Sequence, residues 1–294
     1  MRGSGRMPII RAEKLSTSLK WALLYLFILA LVSFTALPIV YMVSTAFKPL
    51  DELFLYPPRF FVHKPTLRNF FDLLTATDTS IVPFTRYIFN SVFVSVAIVV
   101  GTLVICCLGA YVLSKYRLPG ANALFAVIIS ALMFTPQVTQ IPTYMVISNL
   151  GMLDTYWSLV LPKLAVAYNI FLMKQFIDQI PDALLEAAHI DGASEWRIFW
   201  RVVMPVCRPA WATLIIFAFI ANWNDYFTPL VFTTSESMKT LPLALQTLAG
   251  GPGTVARSGA VAAGTLLVTL PPILIFLAFQ KMVINTMAYS GIKS

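Results

Sequence analysis

IFNSVFVSVAIVVGTLVICCLGAYVL, Ile88 to Leu113, decides the fold of this chain. It carries no charged residue and exceeds the roughly 20 helical residues needed to cross a hydrocarbon core of about 30 Å. In lipid a backbone has to satisfy its own hydrogen bonds, so the run is a helix. Comparable runs lie near Trp21 to Phe47, Ala121 to Ile147, Tyr156 to Phe176, Ala210 to Phe232 and Ala260 to Val283, six in all. The sequence therefore predicts an all-α integral membrane protein with six transmembrane helices.

Composition agrees. Of 294 residues 58% are hydrophobic and 12% charged, against about 45–50% and about 25% in soluble domains. Mean hydropathy is +0.78. The net charge of +8 would suit nucleic acid, but no basic cluster with interleaved aromatics stands outside the apolar runs, which excludes that partner. Cys106, Cys107 and Cys207 fit no disulfide framework or metal-ligand spacing and read as packing residues.

Lysine and arginine orient the spans. Arg2, Arg6, Arg11, Lys14, Lys20, Lys115, Arg117, Lys174, Arg197, Arg201, Arg208, Lys281 and Lys293 fall on one side, and a smaller set, from Lys48 to Arg86 with Lys239 and Arg257, on the other. Both termini are expected to be cytoplasmic. The first run is too long for a signal peptide and lacks a small-residue cleavage site, so it is read as retained. The organisation expected is a cytoplasmic segment 1–20, a six-helix transmembrane domain 21–283 and a cytoplasmic tail 284–294, with outer loops 48–87 and 233–259. The inner loop 177–208 is unusually long, and function is sought there.

Inside that loop stands Ile180-Pro181-Asp182-Ala183-Leu184-Leu185-Glu186-Ala187-Ala188-His189-Ile190-Asp191-Gly192. Pro181 suits a helix start, Asp182 complements the dipole and Gly192 permits a left-handed end. Ala183, Ala187 and Ile190 share one face with Leu184 and Ala188 beside it; Asp182, Glu186 and His189 form the opposing stripe. Small alanines let another backbone approach closely, and Glu186 offers a carboxylate to a cationic partner. A second short helix with Ser194 as N-cap runs toward Pro205, with Trp196 and Trp200 four residues apart. Residues alone leave two readings open: a docking plug for another protein, or an interfacial helix lying on lipid.

Glu186-Ala187-Ala188, Gly192 and Met204-Pro205 resemble the EAA loop of the permease subunits of ATP-binding-cassette importers, whose pattern is Glu-Ala-Ala-x3-Gly-x9-Ile-x-Leu-Pro. Val202 and Met204 stand for its Ile and Leu, which preserves apolar character. Asn90-Ser91, Tyr116-Arg117-Leu118-Pro119-Gly120, Gly151-Met152-Leu153-Asp154-Thr155, Trp223-Asn224-Asp225-Tyr226 and Gln280 extend the likeness over nearly the whole chain. It is similar to the second, shorter permease of maltose-type systems.

That resemblance implies a type I importer permease fold with a cytoplasmic coupling helix. It implies two copies of a cytoplasmic ATPase as partners, a second permease, expected as a heterodimer, and an extracytoplasmic solute-binding protein. Glu186, Ala187, Ala188, Gly192 and Pro205 would couple to the ATPase, and Gly291, Ile292 and Lys293 of the tail would reach it. Gly250, Gly251, Pro252 and Gly253, a flexible turn in the outer loop, would meet the binding protein. The chain has no Gly-x4-Gly-Lys-Ser/Thr phosphate cradle. ATP and Mg are therefore expected on the partner, and this chain is expected to be neither an enzyme nor a holder of a metal or cofactor.

Charged residues within spans are costly and mark function by default; here they are Lys163 and Asp225. Lys163 either faces a cavity, where it would attract an anionic solute, or snorkels or pairs with Asp225. Tyr144, Asn169, Asn222, Trp223 and Asn224, with Tyr168, offer groups suited to sugars. An oligosaccharide is the expected substrate, with an acidic, uronate-type one open beside neutral maltodextrins. The alternative class is a secondary transporter, against which stands the shortage of intramembrane acids. An intramembrane enzyme finds no nucleophile and base at a common depth.

Overall fold

The computed structural model describes residues 7–75, 82–251, 253 and 255–290, with side chains from 19 to 283. Among the described residues all regular structure is helical. In chain order the α-helices are α1 (Met7–Ala46), α2 (Leu50–Leu53), α3 (Arg68–Thr75), α4 (Phe84–Lys115), α5 (Ala121–Ala131), α6 (Pro136–Asn149), α7 (Tyr156–Val160) and α8 (Ala167–Asp178). There follow α9 (Asp182–Ile190), α10 (Glu195–Ile198), α11 (Met204–Val206), α12 (Arg208–Trp223), α13 (Phe227–Phe232), α14 (Leu241–Gly250) and α15 (Ser258–Ser290).

Three segments are continuous and apolar enough to cross a bilayer: Leu19–Ala46, Phe84–Lys115 and Ser258–Val283. The other three apolar runs are broken by bends or stops in the helix. The α5 and α6 axes meet at 112°, because Pro136 forces Thr135 into extended backbone. The run from Tyr156 bends by 43° between Lys163 and Ala167, and the helical stretch Glu195–Val206 meets α12 at 79°. The run to Phe232 stops at Trp223 and resumes as α13. Counting each bent pair as one span gives up to 6 crossings.

α4 is the axis on which the rest is hung. Cys106, Cys107, Ala110 and Tyr111 pack with Met173 and Ile177 of α8, Leu185 of α9 and Phe199, Met204 and Leu214 in one core. The three cysteines are buried, as packing residues should be. Trp21, Phe27 and Phe34 of α1 remain exposed, as a surface solvated by lipid tails requires.

Residues 48–75 are tied together by buried polar contacts. Glu52 accepts the backbone N–H groups of His63 and Lys64 at 3.0 Å each, and these bonds hold its carboxyl below the usual range. Buried Asn69 donates to the carbonyls of Ala46 (2.9 Å) and Lys48 (2.7 Å). A Cβ on Gly259 of α15 would stand 2.2 Å from Asn69 Oδ1, so only glycine allows this approach.

Candidate functional site

Two features stand at opposite ends of α4. At its start, Asn90 donates to the carbonyls of Ser237 and Lys239 at 2.8 Å and accepts from the Tyr156 hydroxyl at 2.8 Å. Ser91 Oγ accepts the N–H of Leu241 at 2.7 Å. Asp154 accepts the N–H groups of Thr234 and Ser235, and the Ser235 hydroxyl holds its carboxyl below the usual range. The Asn90-Ser91 and Asp154 motifs thus clamp the chain that leads into α14. Within the outer loop 233–259, residues 241–250 form a helix with Leu241, Leu243, Ala244 and Leu245 buried, ahead of the turn expected at 250–253. Gly250 ends it, Gly251 follows, Gly253 is left-handed at φ +78°, and Pro252 lies outside the described residues.

At the other end of α4 sits α9. Lys115 Nζ donates to the carbonyl of Ile180 (2.6 Å) and to Asp182 Oδ1 (2.7 Å), and its charge and hydrogen bond hold the Asp182 carboxyl down. His189 Nε2 lies 3.2 Å from Glu195 Oε1, and Glu195 Oε2 accepts from the Tyr111 hydroxyl at 3.1 Å. Burial and the neighbouring Glu195 push the Tyr116 phenol up to about 12. Leu185 is the buried anchor; Ala188 is half-buried; Ala183, Leu184, Glu186, Ala187 and Ile190 are exposed. Of the expected polar stripe, Asp182 and His189 are engaged within the chain, and Glu186 makes no ion pair among the described residues. Gly192 adopts φ +77° and donates to His189 O at 2.9 Å, closing the helix as foreseen.

Ser194 stands at the N-cap of α10 but makes no side-chain capping bond. The helix beyond it widens to a π turn over Phe199–Val203 before Pro205. Trp196 and Trp200 are exposed.

Between these ends lies a cavity of about 810 Å³, bounded by α6, α8, α12, α13 and the break at Pro162–Val166. Of the residues singled out in the sequence, Lys163, Tyr168, Asn169, Asn222 and Asp225 line it. Trp223 does not; its indole N–H donates to Val268 O at 2.8 Å and holds α12 to α15. Asn224 donates back to Ile220 O, and Tyr144 packs on Phe232 outside the lining. Sequence reasoning missed Thr139, Gln140, Thr143 and Thr228, which also line the cavity. Their signal was the three- to four-residue spacing of the α6 trio within an apolar run.

Lys163 and Asp225, the charged members of the lining, form an ion pair. Asp225 Oδ1 also accepts the N–H groups of Phe227 (2.9 Å) and Thr228 (3.0 Å), capping α13, and Oδ2 accepts the Thr228 hydroxyl at 2.5 Å. No group of three His, Cys, Asp or Glu suited to a metal occurs among the described residues. Gly291, Ile292 and Lys293 lie outside the described residues. The wall offers hydroxyl and amide groups for a polyol and one cation balanced by one anion.

A family model described as binding-protein-dependent transport system inner membrane component matches residues 9–289. The chain belongs to this family. As such an inner membrane component it is a multi-pass permease of an ABC import system, which sets aside the ion-coupled alternative. Relatives of this permease include the sn-glycerol-3-phosphate transport system permease protein UgpE of Yersinia enterocolitica, 38% identical over 199 residues, 68% of this chain and 71% of that one. The protein of the same name from Escherichia coli O1:K1 / APEC is 36% identical over 209 residues, 71% and 74% of the two chains. These relatives are transport proteins, not enzymes.

A chain of a bacterial ABC transporter involved in the import of the acidic polysaccharide alginate shares the permease fold. Its TM-score is 0.77 at 24% identity, over 96% of this chain and 99% of that one. A chain of a bacterial alginate ABC transporter in complex with an alginate pentasaccharide-bound periplasmic protein gives 0.54 at 15% identity, over 92% and 96%. Both likenesses show the fold alone.

Proposed function

We propose that this permease forms half of the translocation pathway of an ATP-driven importer for a polyhydroxylated, acidic solute, an acidic oligosaccharide of the uronate type. The observation that carries this reading is the cavity wall, where a cation stands among Tyr168, Asn169, Gln140 and Asn222. Charge-assisted bonds to a carboxylate and neutral bonds to hydroxyls are the two kinds of contact such a solute needs. Its volume falls within the roughly 300–1,000 Å³ of small-molecule sites.

A second reading is a small phosphorylated polyol, favoured by the printed cargo of the relative at 38% identity. It shares the anionic chemistry and differs in size.

The exposed face of α9 supports docking: Ala183, Ala187 and Ile190 stand unpartnered beside Glu186 in a helix fixed at both ends. In this proposal Glu186, Ala187 and Ala188 meet a cytoplasmic ATPase, present in two copies, with Gly192 and Pro205 setting the bend and Gly291 to Lys293 adding a tail contact. ATP and Mg reside on that partner. Gly250 to Gly253 meet an extracytoplasmic binding protein, a second and different permease completes the pathway, and both termini face the cytoplasm.

Solute-stimulated ATP hydrolysis tests this. Proteoliposomes would hold this chain with its co-encoded permease, ATPase and binding protein, supplied with neutral oligosaccharides, uronate oligosaccharides and sn-glycerol 3-phosphate. Stimulation by uronates that needs the binding protein is expected. Stimulation by the glycerophosphate alone selects the second reading, and stimulation by neutral sugars alone overturns the acidic assignment.

A further inference from the structure

The Lys163–Asp225 pair is asymmetric. The carboxylate has three other donors: Phe227 N–H, Thr228 N–H and Thr228 hydroxyl. The ammonium has Asp225 as its one acceptor among the described residues. If the two separate, Asp225 therefore remains hydrogen-bonded and α13 remains capped, whereas Lys163 needs a new anion. Lys163 is also the member placed to move. It sits at the break between α7 and α8, on a flexible four-carbon stem, in a short 3₁₀ turn over Leu161–Lys163. Its backbone is held, since its carbonyl accepts from Thr102 Oγ1 of α4 at 3.2 Å.

We infer that Asp225 is a parking site for the Lys163 ammonium, and that the anionic group of the solute recruits Lys163 away from it. Asp225 keeps the wall neutral when no anion is present, which a lone cation inside a span would not be. A carboxylate or phosphate in the cavity then competes with Asp225 for the same three protons, while its hydroxyls meet Gln140, Asn169 and Asn222. Competition lowers the affinity for anions below what a free lysine would give, by the fraction of time Lys163 is parked. The device gives selectivity for charge without a grip so tight that release is slow. Asp225 acts through Lys163 and is a positioning residue; Lys163 is the specificity residue.

This inference rests on the proposed acidic solute. Its test is equilibrium binding to the assembled transporter, measured by calorimetry with two matched pairs. One pair is a uronate trisaccharide and its carboxyl-reduced neutral form, the other sn-glycerol 3-phosphate and glycerol. The readout is the ratio of anion to neutral affinity, in which a general loss of structure cancels. Lys163→Gln should bring the ratio close to one. Asp225→Asn keeps an oxygen for the Phe227 and Thr228 N–H groups and removes the competing charge, so it should raise the ratio by about threefold or more.

A ratio unchanged or lowered by Asp225→Asn overturns the parking role, and so does a ratio that Lys163→Gln leaves in place. A merely structural pair would weaken acid and neutral binding alike in both variants. Failure of the acidic reading itself shows in the unsubstituted transporter, as a ratio of one for both pairs. Which pair carries the effect separates a carboxylate from a phosphate.

Discussion

Lys115 reaches from the end of α4 to the first residue of α9, its Nζ 2.7 Å from Asp182 Oδ1, with 8% of its side chain exposed against 77% for Asp182. The same ammonium takes the carbonyl of Ile180 at 2.6 Å. One turn earlier on the same helix, the Tyr111 hydroxyl donates to Glu195, which in turn lies against His189. Both ends of α9 are thus tied to α4, and movement of that helix carries the exposed face of α9 with it.

Replacing Lys115 by Met should loosen α9 without unfolding the bundle. Asp182 is exposed and regains water, but the carbonyl of buried Ile180 loses its donor, at a cost of about 1–3 kcal/mol. Limited trypsin digestion of the purified protein should cut faster at Arg197 and Arg201, with cleavage at Arg59 and Arg68 unchanged. Equal acceleration at both places would mean that Lys115 supports the whole fold.

The Asp182 carboxyl gives this tie a pH dependence of defined sign. Its folded-state pKa is lowered, first by the hydrogen bond from Lys115 and then by that charge. Its contribution is therefore present above the unfolded value of about 3.9 and lost as pH falls through the lowered one. The difference in Tm between the wild type and Asp182→Asn should be constant from about pH 8 to pH 5 and shrink below about pH 4. A difference that grows on acidification would contradict the assignment.

Glu186→Lys tests the proposed docking contact. The residue is exposed and makes no ion pair among the described residues, so the variant should insert and keep its stability within about 0.5 kcal/mol. A repulsive charge at the contact should lower solute-stimulated ATP hydrolysis in proteoliposomes by about tenfold or more. Full transport would remove Glu186 from the interface.

Gly259→Leu should separate α15 from α3. Even a Cβ there lies 2.2 Å from Asn69 Oδ1, and Asn69 holds the end of α1 through Ala46 O and Lys48 O. A loss of about 1–3 kcal/mol is expected from overpacking alone, seen as a lower Tm in detergent. Asn69→Ala should recover part of the steric loss; no recovery would place the clash elsewhere.

Much of the fold was legible because lipid makes length and apolarity decisive: an uncharged run such as Ile88 to Leu113 has one way to satisfy its backbone. The punctuation of α9 was equally readable, since Pro181, Asp182 and Gly192 act locally. The cavity was not. In lipid, helix faces turned to the bilayer and faces turned to protein are both apolar, so α12 gives no stripe to say that Asn222 looks inward while Trp223 seals α15.

The sequence by itself determined the membrane class, the number of apolar runs, the short punctuated helix α9 and the identity of the two intramembrane charges, because each follows from composition or from contacts within a few residues. Only the tertiary structure decided that three of the runs break, that Gln140 and Thr143 share a wall with Asn169, and that Lys163 meets Asp225. Those pairings join residues far apart in the chain, and their geometry depends on how helices turn against one another, which no local pattern encodes.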